Sequence, residues 1–129
     1  MIDFTLRSRR VITGGECVPA TIHVAAGRIA AVGAFDESGR GHGIDVGDAV
    51  VMAGVVDPHV HVNEPGRAEW EGFATATRAA AAGGITTILD MPLNSIPATT
   101  SVEALRVKRE AAEANAVVNI VYIGGVVPG

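Results

Sequence analysis

Between residues 54 and 123 three short apolar runs alternate with two stretches of helical periodicity, and this order most narrows what the chain can fold into. The runs lie at 54–57, 85–90 and 117–123, and the helical stretches at 67–82 and 100–115. In the first stretch Trp70, Phe73, Ala74, Thr77 and Ala81 recur at helical spacing, Glu69 and Glu71 stand near the positive N-terminal end, and Gly83-Gly84 stops it. The second opens on Thr100-Ser101-Val102-Glu103, with the Thr-to-Glu spacing of a capping box. Strand, helix, strand, helix, strand with short connections predicts right-handed βαβ units and a parallel sheet. Such strands are buried on both faces and need aliphatic side chains rather than rings. The composition agrees, at 48% hydrophobic but only 4% aromatic.

Residues 1–52 have another texture. Ile2, Phe4 and Leu6 alternate with polar neighbours, which puts them on one sheet face. A second run at 10–13 ends at Gly14-Gly15, and a third at 17–25 carries Ala20, Ile22 and Val24 on one face. Gly27-Arg28 fits a tight hairpin into a strand at 28–32. A loop at 39–43 and short strands at 44–46 and 50–52 complete a small antiparallel β unit.

A three-stranded parallel sheet leaves open edges, and a (β/α)₈ barrel needs eight βα units and roughly 250 residues. The expectation is an α/β chain in two parts. Residues 1–52 form the β unit, which the resemblance given below implies is a β-sandwich portion, and residues 53–129 form the first three strands and two helices of an incomplete TIM barrel. An open three-stranded α/β domain, complete as it stands, is the alternative.

Charge and cysteine content exclude several classes. The formal charge is -4, and Lys/Arg clustering is confined to Arg7, Arg9 and Arg10, so nucleic acid and anionic membrane are not expected partners. The single cysteine, Cys17, permits no internal disulfide, suits a reducing compartment, and reads as a small apolar strand residue. Residues 1–10 lack the apolar core of a signal peptide, and no run nears the roughly 18–20 apolar residues of a membrane span. A cytoplasmic protein is expected.

The segment Val55-Val56-Asp57-Pro58-His59-Val60-His61-Val62-Asn63 carries the chemistry. Histidines at i and i+2 on a strand project to the same side, and two neutral imidazoles at a strand's C-terminal end suit a divalent metal. By itself H-x-H equally marks structural or exposed histidines. Its place at the end of the first strand of a βαβ run favours His59 and His61 as ligands. Asp57 shares their parity, so its carboxylate is expected to orient a ligand imidazole. His23, on the polar face of its strand, and His42, in a Gly-rich loop, are read as non-functional.

Asp57-Pro58-His59-Val60-His61-Val62-Asn63-Glu64-Pro65-Gly66-Arg67, followed by Glu69-Trp70-Glu71-Gly72-Phe73, resembles the first-strand signature of allantoinases. Gly83-Gly84-Ile85-Thr86-Thr87 and Asp90-Met91-Pro92-Leu93-Asn94-Ser95-Ile96-Pro97 resemble the second-strand signature of the same cyclic amidohydrolase family. The preceding β unit is similar to the accessory sandwich of these enzymes. The resemblance spans essentially the whole chain and is most specific over residues 57–100.

The resemblance implies that His59 and His61 bind the more buried of two divalent ions, usually Zn²⁺. It also implies a bridging carboxylated lysine, two later histidines for the second ion, and a later aspartate as ligand and general base. None of these four is expected within the chain, which reaches only the third strand, and the one lysine, Lys108, falls in the second helical stretch. The chain is therefore expected to be an N-terminal fragment, inactive alone, of an enzyme that opens allantoin to allantoate and assembles as a homotetramer.

Dihydroorotases resemble the same stretch but carry Arg two residues after the second histidine, to grip a substrate carboxylate. Asn63 stands there instead, and a neutral amide suits an uncharged hydantoin. Asn63 and, in the loop after the second strand, Asn94 are expected substrate contacts, although both also fit ordinary loop chemistry. Asp90 reads as a supporting carboxylate, and Glu64, Arg67, Glu69 and Glu71 as residues that cap and charge the first helix. Dihydroorotase, dihydropyrimidinase or hydantoinase activity is the alternative within the enzymes. A non-catalytic scaffold subunit is the alternative outside them.

Overall fold

Two pairs of small residues, Gly14-Gly15 and Ala26-Gly27, fold the start of the chain back on itself twice. All four have positive φ (59°, 84°, 49° and 70°), the backbone of a two-residue hairpin loop whose twist matches the flanking strands. The computed structural model describes residues 1–37 and 41–128. It divides into two compact units, Met1–Ala53 and Gly54–Gly129.

In the first unit β1 (Phe4–Thr13), β2 (Glu16–Ala25) and β3 (Arg28–Ala34) form an antiparallel meander. The next strands, β4 (His42–Asp45) and β5 (Val50–Val51), both pair parallel with β1, giving the order β3-β2-β1-β4 with β5 also on β1. The unit is thus a mixed sheet, not the antiparallel one expected. Its first two sequence runs are a single strand. A register shift between Ser8 and Val11 changes which residues face the core, and this breaks the alternation that made them look separate. Ser8 holds the irregularity: its Oγ accepts from the Arg10 amide at 2.9 Å and donates to Ala49 O at 2.6 Å. Val11, Ala20 and Ile22 form the core, with Leu6, Val18, Val24 and Val51 against it.

Four other expectations need correction here. The hairpin loop is Ala26-Gly27, with Arg28 already in β3. Cys17 lies in β2 but is exposed, because it projects opposite to the core residues. His42 opens β4 instead of lying in a loop, and residues 39 and 40 of that expected loop lie outside the described residues. His23 is buried rather than solvent-facing, with Nε2 3.7 Å from Glu37 Oε1.

The second unit is a parallel sheet of β6 (Val55–Val60), β7 (Ile85–Asp90) and β8 (Asn119–Tyr122), in the order β6-β7-β8. Helices α1 (Phe73–Ala82) and α2 (Val102–Asn115) connect the strands. Val62, Phe73, Ala80, Ile88 and Ala112 make the core between helices and sheet. Thr77 joins it as a polar member: its hydroxyl donates to Phe73 O at 2.6 Å and accepts from the Val117 amide at 3.1 Å, tying α1 to the approach of β8.

Helix α1 begins at Phe73, six residues later than expected. Residues 64–71 are spent in turns, closed by the Asn63 amide on Glu71 O and the Arg67 amide on Asn63 O. Gly72 is extended and makes no side-chain cap, so Glu64 Oε2 reaches back to accept from the Phe73 amide at 2.8 Å. Glu64 therefore caps the helix, whereas Arg67, Glu69 and Glu71 precede it. Trp70 is 69% exposed under the Arg67 guanidinium rather than part of a buried stripe. At α2 the cap is Ser101, which accepts from the Ala104 amide, and Glu103 pairs with Arg106. The expected Thr100–Glu103 capping box does not form.

Candidate functional site

β6 ends in the sequence Pro58-His59-Val60, and the chain leaves it through His61. Val60 and Val62 turn toward the helices and pack in or against the core, so the intervening His59 and His61 are left exposed on the other face. The two imidazoles converge there, with Nε2 atoms 3.1 Å apart and ring centroids 5.0 Å apart.

Asn94, in the loop after β7, bridges Asn63 and His61. Its Nδ2 donates to Asn63 Oδ1 at 3.2 Å, which leaves its Oδ1, 3.1 Å from His61 Nδ1, as an acceptor. In this amide orientation Nδ1 of His61 is the donor to Asn94, and its Nε2 presents a lone pair toward His59. This is the state a metal-binding imidazole needs, with the remote ring nitrogen held by an acceptor. Asn63 and Asn94, expected as separate substrate contacts, are joined to each other and to His61.

Asp57 does not reach either ring. Its Oδ1 accepts from the His59 backbone amide at 3.1 Å. The reason is a register shift: Asp57 pairs with Ile88 and Val60 with Asp90, so three steps along β6 match two along β7. The extra residue falls at Pro58-His59 and breaks the shared parity of Asp57 and His59.

Asp90 shares the helix-facing parity of Ile88 and is fully buried. Its Oδ1 accepts from the Val62 amide at 2.8 Å, and its Oδ2 from Lys108 Nζ at 2.6 Å. Lys108 is the residue that the sequence reading passed over. The signal was present: Ala104, Lys108 and Ala112 are spaced by four, and all three are buried along α2.

The Amidohydrolase family model matches residues 50–129. This chain belongs to the amidohydrolase family. It is 54% identical to an allantoinase of Streptomyces avermitilis over 98% of its own length and 29% of the relative's. It is 51% identical to a mitochondrial allantoinase of Aquarana catesbeiana, over 95% of this chain and 26% of that one. The chain thus spans less than a third of the curated relatives it matches. The solved structure of L-hydantoinase (dihydropyrimidinase) from Arthrobacter aurescens superposes with a TM-score of 0.87 at 34% identity, over all of this chain and 29% of that one.

Metal dependence is general among amidohydrolases, and the residues present fit part of a metal shell. Two nitrogens each about 2.0–2.1 Å from a tetrahedral zinc lie roughly 3.3 Å apart, close to the 3.1 Å between His59 Nε2 and His61 Nε2. Among the described residues no cluster of three or more His, Cys, Asp or Glu gathers around a common point. Among the described residues no helix is long and apolar enough to cross a membrane.

Proposed function

We propose that this chain is the metal-holding N-terminal part of a cyclic-amide hydrolase that opens the hydantoin ring of allantoin to give allantoate. The observation that carries this reading is the 3.1 Å approach of two imidazole Nε2 atoms at the end of β6, with Asn94 Oδ1 3.1 Å from His61 Nδ1. The relatives named allantoinase support the choice of substrate.

In this reading residues 1–52 belong to an accessory β-sandwich, and residues 53–129 begin a TIM barrel with the site at the C-terminal ends of its strands. His59 and His61 hold one of two Zn²⁺ ions. A bound ion supplies a Lewis acid that polarises the scissile ring carbonyl. Asn94 keeps the lone pair of His61 directed at the site. Asn63 presents a neutral amide, matched to an uncharged hydantoin where a desolvated Arg without an anion would be costly. The general base and the remaining ligands have no counterpart in residues 1–129, so the chain alone does not turn over allantoin. A homotetrameric assembly is part of the proposal, as is a cytoplasmic location, supported by the single cysteine.

The test is a Co²⁺ titration of the chain followed by visible absorption. Binding is expected in the parent and lost in His59→Ala and His61→Ala; a parent indifferent to Co²⁺ would sink the metal assignment. Allantoin turnover by the zinc-supplemented chain above a His59→Ala control would contradict its inactivity alone. The superposition on a hydantoinase favours a second reading, hydrolysis of a hydantoin or dihydropyrimidine. Rates on allantoin, a 5-substituted hydantoin and dihydroorotate, measured on the product of the complete reading frame, separate the readings.

A further inference from the structure

The buried pair of Asp90 and Lys108 touches neither imidazole, yet it holds the backbone beside one of them. We propose that this pair is a positioning device for the histidine pair, an inference that rests on the metal reading above. β6 ends at Val60, so the Val62 amide lies beyond the last regular strand pairing. The last such contact is the Met91 amide on Val60 O at 2.7 Å. The backbone carbonyl of Asp90 is taken by the Ile123 amide at 3.0 Å. The Asp90 carboxylate supplies the missing acceptor and extends the ladder past the strand, through Oδ1 on the Val62 amide.

Lys108 makes that carboxylate sustainable, because a buried charge without a partner is strongly unfavourable. Side-chain exposure is 1% for Lys108 and 0% for Asp90. Stability alone does not account for the pair, since an apolar pair of similar volume commonly serves a core as well or better. An apolar pair offers the Val62 amide no acceptor. His61 is thus fixed at two places: its ring by Asn94, and the peptide that follows it by Asp90. If either gives way, the 3.1 Å approach of the Nε2 atoms is no longer enforced.

The experiment compares the full chain with D90L/K108M, which removes both charge and acceptor, and D90N/K108Q, which removes charge but keeps an acceptor for the Val62 amide. The readouts are Tm, Co²⁺ affinity, Val62 amide exchange and the imidazole ¹⁵N shifts of His59 and His61. D90L/K108M is expected to match or exceed the parent Tm, to lose Co²⁺ affinity on the order of tenfold, and to exchange the Val62 amide at least about tenfold faster. D90N/K108Q is expected to recover affinity to within about twofold of the parent. A folded D90L/K108M with parental affinity and parental imidazole shifts would overturn the proposal. If D90L/K108M unfolds, D90N/K108Q decides: a folded protein with a tenfold loss of affinity overturns it, and retained affinity with a protected Val62 amide supports it. If the parent itself binds no Co²⁺, the metal reading fails separately, and imidazole shifts that move in D90L/K108M but not in D90N/K108Q still support the positioning role.

Discussion

Asn94 shows how one amide settles several questions at the residue scale. With Nδ2 donating to Asn63, its oxygen faces Nδ1 of His61 at 3.1 Å. Asn94→Ala is expected to lower Co²⁺ affinity by about 10–100-fold, the usual effect of losing a partner of a metal-binding histidine, with little change in Tm; a titration beside a melting curve checks both. Tyr122 offers a pH test, since it is the only tyrosine. Burial pushes its phenol above the ordinary 10.0, opposed by Arg109 and reinforced by Glu113 and Asp90. The folded state therefore favours the protonated phenol. That contribution is fully present below the unfolded pKa of about 10 and is lost as pH rises through the folded value. Alkaline titration of tyrosinate absorbance should give a midpoint higher in the folded chain than in denaturant.

At the scale of elements, α2 depends on its first turn. Ser101 accepts from the Ala104 amide at 3.2 Å, and Ser101→Ala is expected to cost about 0.5–2 kcal/mol by urea denaturation. The β2–β3 hairpin carries a built-in cost, because Ala26 holds φ 49° in a loop that favours Asn-Gly. Ala26→Asn is expected to raise stability by roughly 0.5–1 kcal/mol in the same assay; an unchanged or lowered midpoint would contradict the assigned turn. The boundaries of α1 show why elements are harder to read than their existence. Its apolar spacing is visible from Trp70 onward, but Glu64 caps from eight residues upstream of Gly72, and nothing in local periodicity marks that contact.

At the scale of the whole molecule, the parallel sheet presents β6 and β8 as its two edges among the described residues. Val55, Val56 and Val121 are 44%, 54% and 44% exposed. Apolar edges of this kind pair with other chains. The purified chain is expected to self-associate as concentration rises, and V56K/V121K to shift size-exclusion elution toward the monomer. A parent that stays monodisperse at high concentration would contradict this.

The order of strands and helices from residue 54 onward, the turns at Gly14-Gly15 and Gly27, and the convergence of His59 and His61 were legible in the linear sequence. Each depends on local rules: period, φ preference and the alternation of side chains along a strand. Asp90, read as a supporting carboxylate, is buried against the Val62 amide and Lys108, while local rules place it only at the end of its strand. They failed for Asp57, because the register shift at Pro58-His59 is set by pairing with β7. For Lys108 the spacing with Ala104 and Ala112 marks a buried face of α2 but names no partner for its charge. Only packing α2 over β7 brought it against Asp90, where burial and a 2.6 Å ion pair are decided together. Sequence determined which residues could meet at the end of β6; tertiary structure decided which of them do, because contacts between separate elements depend on register and packing that no local pattern encodes.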